Sequence, residues 1–208
     1  MFIPKPTESA NFDPAPAGTH VGVCYRFVDR GTQMKEYSGE RKIRHEVMLS
    51  WELGDELMTD GRPFSLSKTY SWSMHEKSTL RKDLESWRGK QFVEDDFEGP
   101  NAFNTRKLIG APCMVTVTHR TKDGKTYADV ASIGKLTKGI QPPPLTNPRT
   151  YLALSEDGWS AEIYAGLSER VKEVIAGSPE YKELMQRLAK PGEHDDDGSG
   201  RFDDDIPF

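Results

Sequence analysis

The segment IRHEVMLSWEL, residues 43–53, alternates apolar and polar side chains with the period of a β-strand. One face is formed by Ile43, Val47, Leu49, Trp51 and Leu53, and the other by Arg44, Glu46, Ser50 and Glu52. A similar run precedes it at residues 20–29, and another follows at residues 64–74, whose second face is all serine and threonine. Three such runs in succession predict an antiparallel meander of three strands.

The predicted connections between these strands are polar. Residues 31–41 read as a loop, and residues 54–62 read as a turn around Asp60-Gly61.

The period of the pattern changes after the third strand. Ser78 can cap a helix, Leu80, Leu84 and Trp87 follow at helical spacing, and Gly89 stands just past the helix end. A short helical piece near 105–109 and strands at 113–119 and 127–136 follow, the strands being joined by a loop at 120–126. This order predicts a mainly β protein, an OB-fold: a five-stranded antiparallel barrel with a helix between strands three and four.

Composition divides the rest of the chain. We predict an irregular proline-rich arm at residues 1–17 and the OB-fold domain at residues 18–139. A proline-rich connector with a helical extension is predicted at residues 140–190, and a disordered acidic tail at residues 191–208. In the extension, Ser168 can cap one helix and Pro179 can begin another. These two short helices cannot form a core alone, so they must pack on the barrel or on a second protomer.

The net charge of −5 belongs to the tail. Residues 193–208 hold Glu193, six aspartates and Arg201, a charge of −6, so residues 1–192 carry +1. A near-neutral body can bind nucleic acid if its cations gather on one surface. No apolar run is long enough to cross a membrane, and the N-terminus does not resemble a signal peptide. Two cysteines in strand-like segments favour buried reduced thiols and a cytoplasmic protein.

Patterns that would indicate catalysis are weak. Gly124-Lys125-Thr126 ends like a phosphate-binding loop, but His119 stands where that loop requires a glycine. The five histidines make no zinc-type spacing with the cysteines. Asp95, Asp96 and Glu98 read as a solvated patch rather than a nuclease metal site. We therefore expect a protein that is not an enzyme and that uses no cofactor or metal.

The remaining chemistry is that of binding. Proteins that bind single strands need cations that follow the phosphates and aromatic rings on which bases stack. In an OB-fold the ligand crosses strands two and three, between the loop joining strands one and two and the loop joining strands four and five. The side chains expected to bind DNA are therefore Lys35, Tyr37, Arg41, Lys42, Arg44, Lys68, Tyr70, Trp72, Arg120, Lys122, Lys125 and Tyr127.

Lys68 interrupts the apolar face of the third strand. Because a lysine cannot stay in a core, we expect this face to turn outward near Lys68, through twist or a bulge, and to expose Tyr70 and Trp72 to bases. The alternative is that both rings belong to the core of the barrel. Trp51 and Trp87 have apolar neighbours at the period of their elements and are expected in the core.

Two resemblances bear on function. Residues 203–208, Asp-Asp-Asp-Ile-Pro-Phe, resemble the C-terminal tip of bacterial single-stranded DNA-binding proteins, which docks onto replication and repair enzymes. The segments VDRGTQ, WEL, EKSTLRKDLESWRG and IAGSPEY, at residues 28–33, 51–53, 76–89 and 175–181, resemble the single-stranded DNA-binding proteins of tailed bacteriophages.

The resemblances imply sequence-tolerant binding and protection of single-stranded DNA during phage replication and recombination, in the cytoplasm of a bacterial host. They also imply recruitment of host or phage replication and repair enzymes through Asp203, Asp204, Asp205, Ile206, Pro207 and Phe208. Two alternatives remain open, an adaptor whose barrel binds protein and an RNA-binding OB protein. A homo-oligomer is compatible with the sequence.

Overall fold

The structure, a computed structural model, describes residues 13–37, 39–100 and 102–189. Its strands are β1 (Gly18–Tyr37), β2 (Glu40–Leu57), β3 (Pro63–Ser71), β4 (Pro112–Lys122), β5 (Lys125–Gly134) and β6 (Thr150–Leu152). Its helices are α1 (Thr79–Arg88), α2 (Ala161–Ala165), α3 (Glu169–Ala176) and α4 (Pro179–Ala189), with 3-10 turns at Glu94–Asp96 and Thr105–Leu108. The protein is mainly β, as predicted, and none of these helices is long and apolar enough to span a membrane. The expected acidic tail and most of the expected N-terminal arm lie outside the described residues.

The strands form one open sheet rather than a closed five-stranded barrel. Their order is β3-β2-β1-β4-β5 with antiparallel neighbours, and β6 pairs in parallel with β1. The two edges, β3 and β5, come close where Lys68 Nζ donates to the carbonyl oxygen of Ala131 at 3.2 Å. Strand β6 is not predicted from sequence, because three residues are too few to show alternation.

The main core lies between the inner face of the sheet and α1. Trp51 is fully buried and Trp87 is 7% exposed, so both predictions of core tryptophans are confirmed. Helix α1 has the predicted caps: Ser78 accepts a hydrogen bond from the Arg81 N–H, and Gly89 adopts the left-handed conformation (φ 69°).

The outer face of β2 is buried as well from Glu46 to Glu52, although most of its side chains are polar. The helical extension covers it, because Val28 and Met48 on this face pack against Leu152, Ile175 and Leu184. Of the two predicted locations for the extension, the structure shows packing on the sheet.

The connector is fixed to the same face by Glu52, which is 1% exposed. The carboxylate of Glu52 accepts hydrogen bonds from the backbone N–H groups of Thr146 (2.8 Å) and Asn147 (2.7 Å) and from the Asn147 side chain (2.5 Å). A buried carboxylate with several donors explains how polar residues can occupy this covered face.

The predicted loop at residues 31–41 is wrong. Strands β1 and β2 continue as a long hairpin as far as the Tyr37–Glu40 pair, followed by a turn at Gly39 (φ 81°). Two long strands satisfy each other's backbone groups without an apolar alternation, so the sequence pattern does not reveal them. Ile43, predicted on the core-facing side, is 70% exposed because the hairpin extends beyond the core.

Candidate nucleic-acid interface

Cations predicted for the first loop lie on the strands of the β1–β2 hairpin. Lys35 is directly opposite Lys42, and Arg44 is two residues further along β2. Because opposed residues share a face and side chains alternate along a strand, these three belong to one face. Arg41 belongs to the other face, so the structure separates it from this group. Tyr37 ends β1, and its side chain is outside the described part of the chain.

Glu46 closes the inner end of this basic face. It forms an ion pair with Lys35, and its second oxygen lies 3.0 Å from Arg30 Nη1. Arg30 also donates to the Thr69 hydroxyl at 3.1 Å, which links β1 to β3. Burial lowers the pKa of Arg30, Glu46 opposes this shift, and the charge of Arg170 on α3 adds to it. Sequence reasoning misses Arg30 because this residue follows the predicted end of the first strand.

Two depressions meet at Arg44. The first, of about 450 Å³, is lined by Gln33, Lys35, Lys42, Arg44 and Glu46. The second, of about 470 Å³, is lined by Arg44, Ser71, Ser73, His75, Lys77, Ser78 and Thr79. Hydroxyl and ammonium groups of this kind contact phosphate oxygens in protein–DNA complexes. The serine and threonine face of the third strand is the sequence signal that could have indicated Ser71 and Ser73.

The prediction that β3 turns outward at Lys68 is wrong. From Phe64 to Ser71, β3 pairs with β2 without a bulge, and Tyr70 is 3% exposed. Lys68 stays on the inner face because its ammonium lies 2.8 Å from Asp83 Oδ2 on α1. The Tyr70 hydroxyl donates to the same oxygen at 2.9 Å, and burial, followed by the charge of Asp83, raises the pKa of Tyr70. Tyr70 is therefore a core residue, and its ring is not available for stacking on a base.

Trp72 follows β3 and is 44% exposed. It contacts Phe27 edge-to-face, with 6.0 Å between ring centroids. It also lines a third depression, of about 430 Å³, together with Phe97 and Phe103. Trp72 is therefore partly accessible, but in a different depression from the hairpin cations.

The cations predicted for the last loop also lie on strands. The predicted loop at 120–126 is a two-residue turn, Asp123-Gly124, with both residues in the left-handed region (φ 52° and 73°). Lys122 is directly opposite Lys125 across the strand pair. Among the residues that the structure describes, neither lysine has a carboxylate within salt-bridge distance.

Arg120 and Tyr127 form the next pair on the same face as these lysines. Tyr127 is 42% exposed, and the Arg120 guanidinium lies 5.3 Å from the centre of its ring. Arg120 also pairs with Asp129 at 2.8 Å. This face therefore presents an accessible ring beside three cations.

The two thiols of the protein are buried, which favours a structural role over a reactive one. Cys24 and Cys113 are free and buried, and burial raises the pKa of Cys24 to about 12 and also raises that of Cys113. In the acidic loop before β4, Asp96 pairs with Arg88 at 2.6 Å. Across residues 13–189, masked positions aside, no three His, Cys, Asp or Glu side chains are grouped so that they could hold a metal ion.

The structure thus divides the predicted site into two groups, one on each hairpin. The first contains Lys35, Lys42 and Arg44, and the second contains Arg120, Lys122, Lys125 and Tyr127.

No protein-family model matches the chain, and no curated protein is significantly similar to it.

Proposed function

We propose that this chain is a single-stranded DNA-binding protein built on an OB-fold, with β6 and the helical extension added. An OB-fold is a partly open five-stranded barrel. The order β3-β2-β1-β4-β5, with α1 between β3 and β4 in the chain, is compatible with such a barrel. The hydrogen bond from Lys68 to the Ala131 carbonyl, which joins the two edge strands, supports this proposal.

The observation that carries the proposal is an opposed pair of lysines on each hairpin, Lys35 with Lys42 and Lys122 with Lys125. Like charges directly opposite each other destabilise an antiparallel strand pair. An anionic ligand relieves this repulsion, and a DNA backbone supplies a regular row of such charges. In the free protein Glu46 pairs with Lys35 and Glu40 pairs with Lys42, whereas the second pair lacks such partners among the described residues.

Tyr127 supplies the stacking surface that a single strand requires. A base stacked on an aromatic ring contributes about 1–3 kcal/mol, whatever the base. The exposed ring with Arg120 beside it therefore favours binding that tolerates any sequence. The hydroxyl groups of Ser71 and Ser73, near Arg44, can position the phosphates.

Residues 203–208 give the protein a proposed second role, recruitment of replication or repair enzymes during phage DNA replication or recombination. They lie outside the described residues, and their resemblance to the tip of bacterial single-stranded DNA-binding proteins supports this role. The segment combines three aspartates with an apolar Ile-Pro-Phe end, which suits a pocket that has a basic rim.

A protein-binding adaptor is the second candidate. The depression beside Trp72 favours it, since Trp72 and Phe97 are 44% and 42% exposed. Exposed rings around a depression are typical of protein interfaces.

Titration of labelled dT and rU oligomers of equal length, at about 50 and about 200 mM salt, tests the proposal. We expect dT to bind, with log K falling linearly with log salt at about −0.7 per phosphate neutralised. Lys42→Ala combined with Arg44→Ala should weaken binding. Lys138→Ala, which removes an exposed lysine that belongs to neither hairpin, should not.

Three outcomes decide between the functions. Tight, salt-dependent binding of dT supports the proposal. Tighter binding of rU than of dT would identify an RNA-binding protein. No binding of either oligomer would leave the adaptor as the better description and would contradict the proposed function.

A further inference from the structure

Two segments far apart in the chain meet at the base of the β1–β2 hairpin. Gly31 adopts the left-handed conformation (φ 67°) at a bulge in β1, and a Cβ at this position would overlap the side chain of Ser178. The backbone N–H of Thr32 donates to Glu180 Oε2 at 2.8 Å, and the Thr32 hydroxyl donates to the other oxygen. The start of α4 therefore lies directly against Gly31 and Thr32 of β1.

His45 lies opposite Thr32 on β2 and joins the two segments. Its Nε2 is 2.7 Å from Asp29 Oδ1, and its Nδ1 is 3.3 Å from Glu180 Oε1. Both ring nitrogens can donate only when the imidazole is protonated. The positively charged form of His45 thus makes one hydrogen bond to the sheet and a weaker contact with α4.

The charged groups that face His45 come from two elements, Asp29 from β1 and Glu180 from α4. Trp72, the residue after β3, contacts His45 through the backbone, since the Trp72 N–H donates to the His45 carbonyl at 2.7 Å. The hydrogen bond with Asp29 raises the pKa of His45, burial opposes this rise, and the charges of Asp29 and Glu180 add to it.

The pKa of Glu180 shifts in the complementary direction. Burial raises it, but the hydrogen bonds from Thr32 and the charge of His45 outweigh burial, and the net pKa is below its usual value. The two shifts therefore favour the charged forms of both partners, protonated His45 and ionised Glu180.

The position of this contact relates it to DNA binding. From the base of the hairpin toward its tip, His45 comes first, Arg44 is next, and the opposed pair of Lys35 and Lys42 lies further out. Contacts at the base of a two-stranded ribbon that extends beyond a core help to set where its basic face points.

We propose that Glu180, acting through His45 and Thr32, positions the β1–β2 hairpin and thereby sets how tightly the protein binds single-stranded DNA. The inference rests on the DNA-binding function proposed above. On this inference α4 is part of the DNA-binding unit, although α4 contributes no residue to the basic face.

Two charge-matched variants test this role. Glu180→Gln removes the charge and keeps an oxygen that can accept from Thr32. Glu183→Gln removes the same charge from an exposed position of α4. If charge alone mattered, both variants would bind DNA slightly more tightly, because each has one negative charge fewer.

If Glu180 positions the hairpin, Glu180→Gln should instead weaken the affinity for DNA. We expect it to bind a labelled dT oligomer about fivefold more weakly than Glu183→Gln at about pH 6.5, with a smaller difference at about pH 9, where a larger fraction of His45 is neutral. In NMR spectra of the free protein, Glu180→Gln should also lower the pKa of His45 and shift the amide resonance of Thr32, whereas Glu183→Gln should change neither.

Equal affinity of the two variants, or an unchanged titration of His45 in Glu180→Gln, would overturn the inference and leave the proposed function intact. A wild-type protein that fails to bind dT would overturn the proposed function, and the inference with it. The NMR measurement needs no DNA, so it separates the contact itself from its effect on binding.

Discussion

The ammonium of Lys68 lies 2.8 Å from Asp83 Oδ2, on a face of β3 that otherwise carries apolar side chains into the core. Tyr70 donates to the same oxygen at 2.9 Å. The side chains of Lys68 and Asp83 are only 19% and 13% exposed. A lysine can occupy this face because α1 supplies the opposite charge.

Replacement of Asp83 should therefore destabilise the protein strongly. Asp83→Ala leaves the ammonium of Lys68 with the Ala131 carbonyl but without a counter-charge, and we expect a decrease of about 3 kcal/mol in the free energy of unfolding, measured in urea. Asp60→Ala, which breaks the exposed pair with Arg62, should change stability little. Equal decreases in the two variants would contradict a structural role for Asp83.

Local features of the fold are readable from sequence. The strand β2 and the caps of α1 at Ser78 and Gly89 are indicated by residues close in the chain, and the structure shows both. The long hairpin and the buried outer face of β2 depend on distant partners. Glu52 is covered because Thr146 and Asn147, more than ninety residues later, donate to it, and no periodicity contains that information.

The candidate site also contains residues that are placed by their neighbours in the chain and residues that are placed by distant partners. Lys122 and Lys125 are found from the sequence because they flank a recognisable Asp-Gly turn. Lys68 and Tyr70 are misplaced because the partner that allows a buried lysine, Asp83, belongs to another element. Charge and ring type alone therefore do not predict which of the candidate residues are accessible.

The lysine pair on the β4–β5 hairpin predicts opposite effects on DNA affinity and on the stability of the free protein. Lys122→Ala combined with Lys125→Ala should weaken dT binding and make the salt slope shallower by about 0.7 for each phosphate that the variant no longer neutralises. Without DNA, the double variant should be as stable as wild type or slightly more stable at low salt, because like charges no longer face each other. An unchanged salt slope would place the DNA elsewhere.

Tyr127 should contribute to binding and little to stability. Tyr127→Ala should cost about 1–3 kcal/mol in dT binding, because one base can no longer stack, and leave the melting temperature nearly unchanged. Tyr70→Ala is the contrasting variant, since removal of a buried ring should cost about 3–5 kcal/mol in stability. Fluorescence titrations and thermal melts of both variants check the assignment. It fails if Tyr127→Ala binds like wild type.

Deletion of Asp203 to Phe208 should separate DNA binding from recruitment. The affinity for dT should stay the same or rise slightly at low salt, because three negative charges are removed. Capture of replication or repair enzymes should be abolished, and Phe208→Ala alone should cause most of this effect, since an aromatic anchor carries more binding energy than charges at a rim. The triple change of Asp195, Asp196 and Asp197 to Asn removes equal charge and should leave capture intact. Wild-type capture by the deleted protein would rule out this role for the segment.

The contact between His45, Asp29 and Glu180 makes stability depend on pH in a direction that can be stated. The pKa of His45 is raised from 6.5, so its contribution to stability is complete below that value and is lost as pH rises through the higher pKa of the folded protein. The pKa of Glu180 is lowered from 4.5, so its contribution is present above that value and is lost as pH falls through the lower pKa. The contact should therefore stabilise the protein most between pH 4.5 and 6.5, and less as pH rises from 6.5 through the raised pKa of His45.

His45→Gln should consequently lower the free energy of unfolding by about 1 kcal/mol at about pH 6 and by much less at about pH 9. His75→Gln, at an exposed position, is the matched control and should show the pH dependence of the wild type. Urea unfolding at both pH values gives the comparison. A destabilisation of His45→Gln that is the same at both values would mean that His45 contributes through packing, and that its charge does not join α4 to the hairpin.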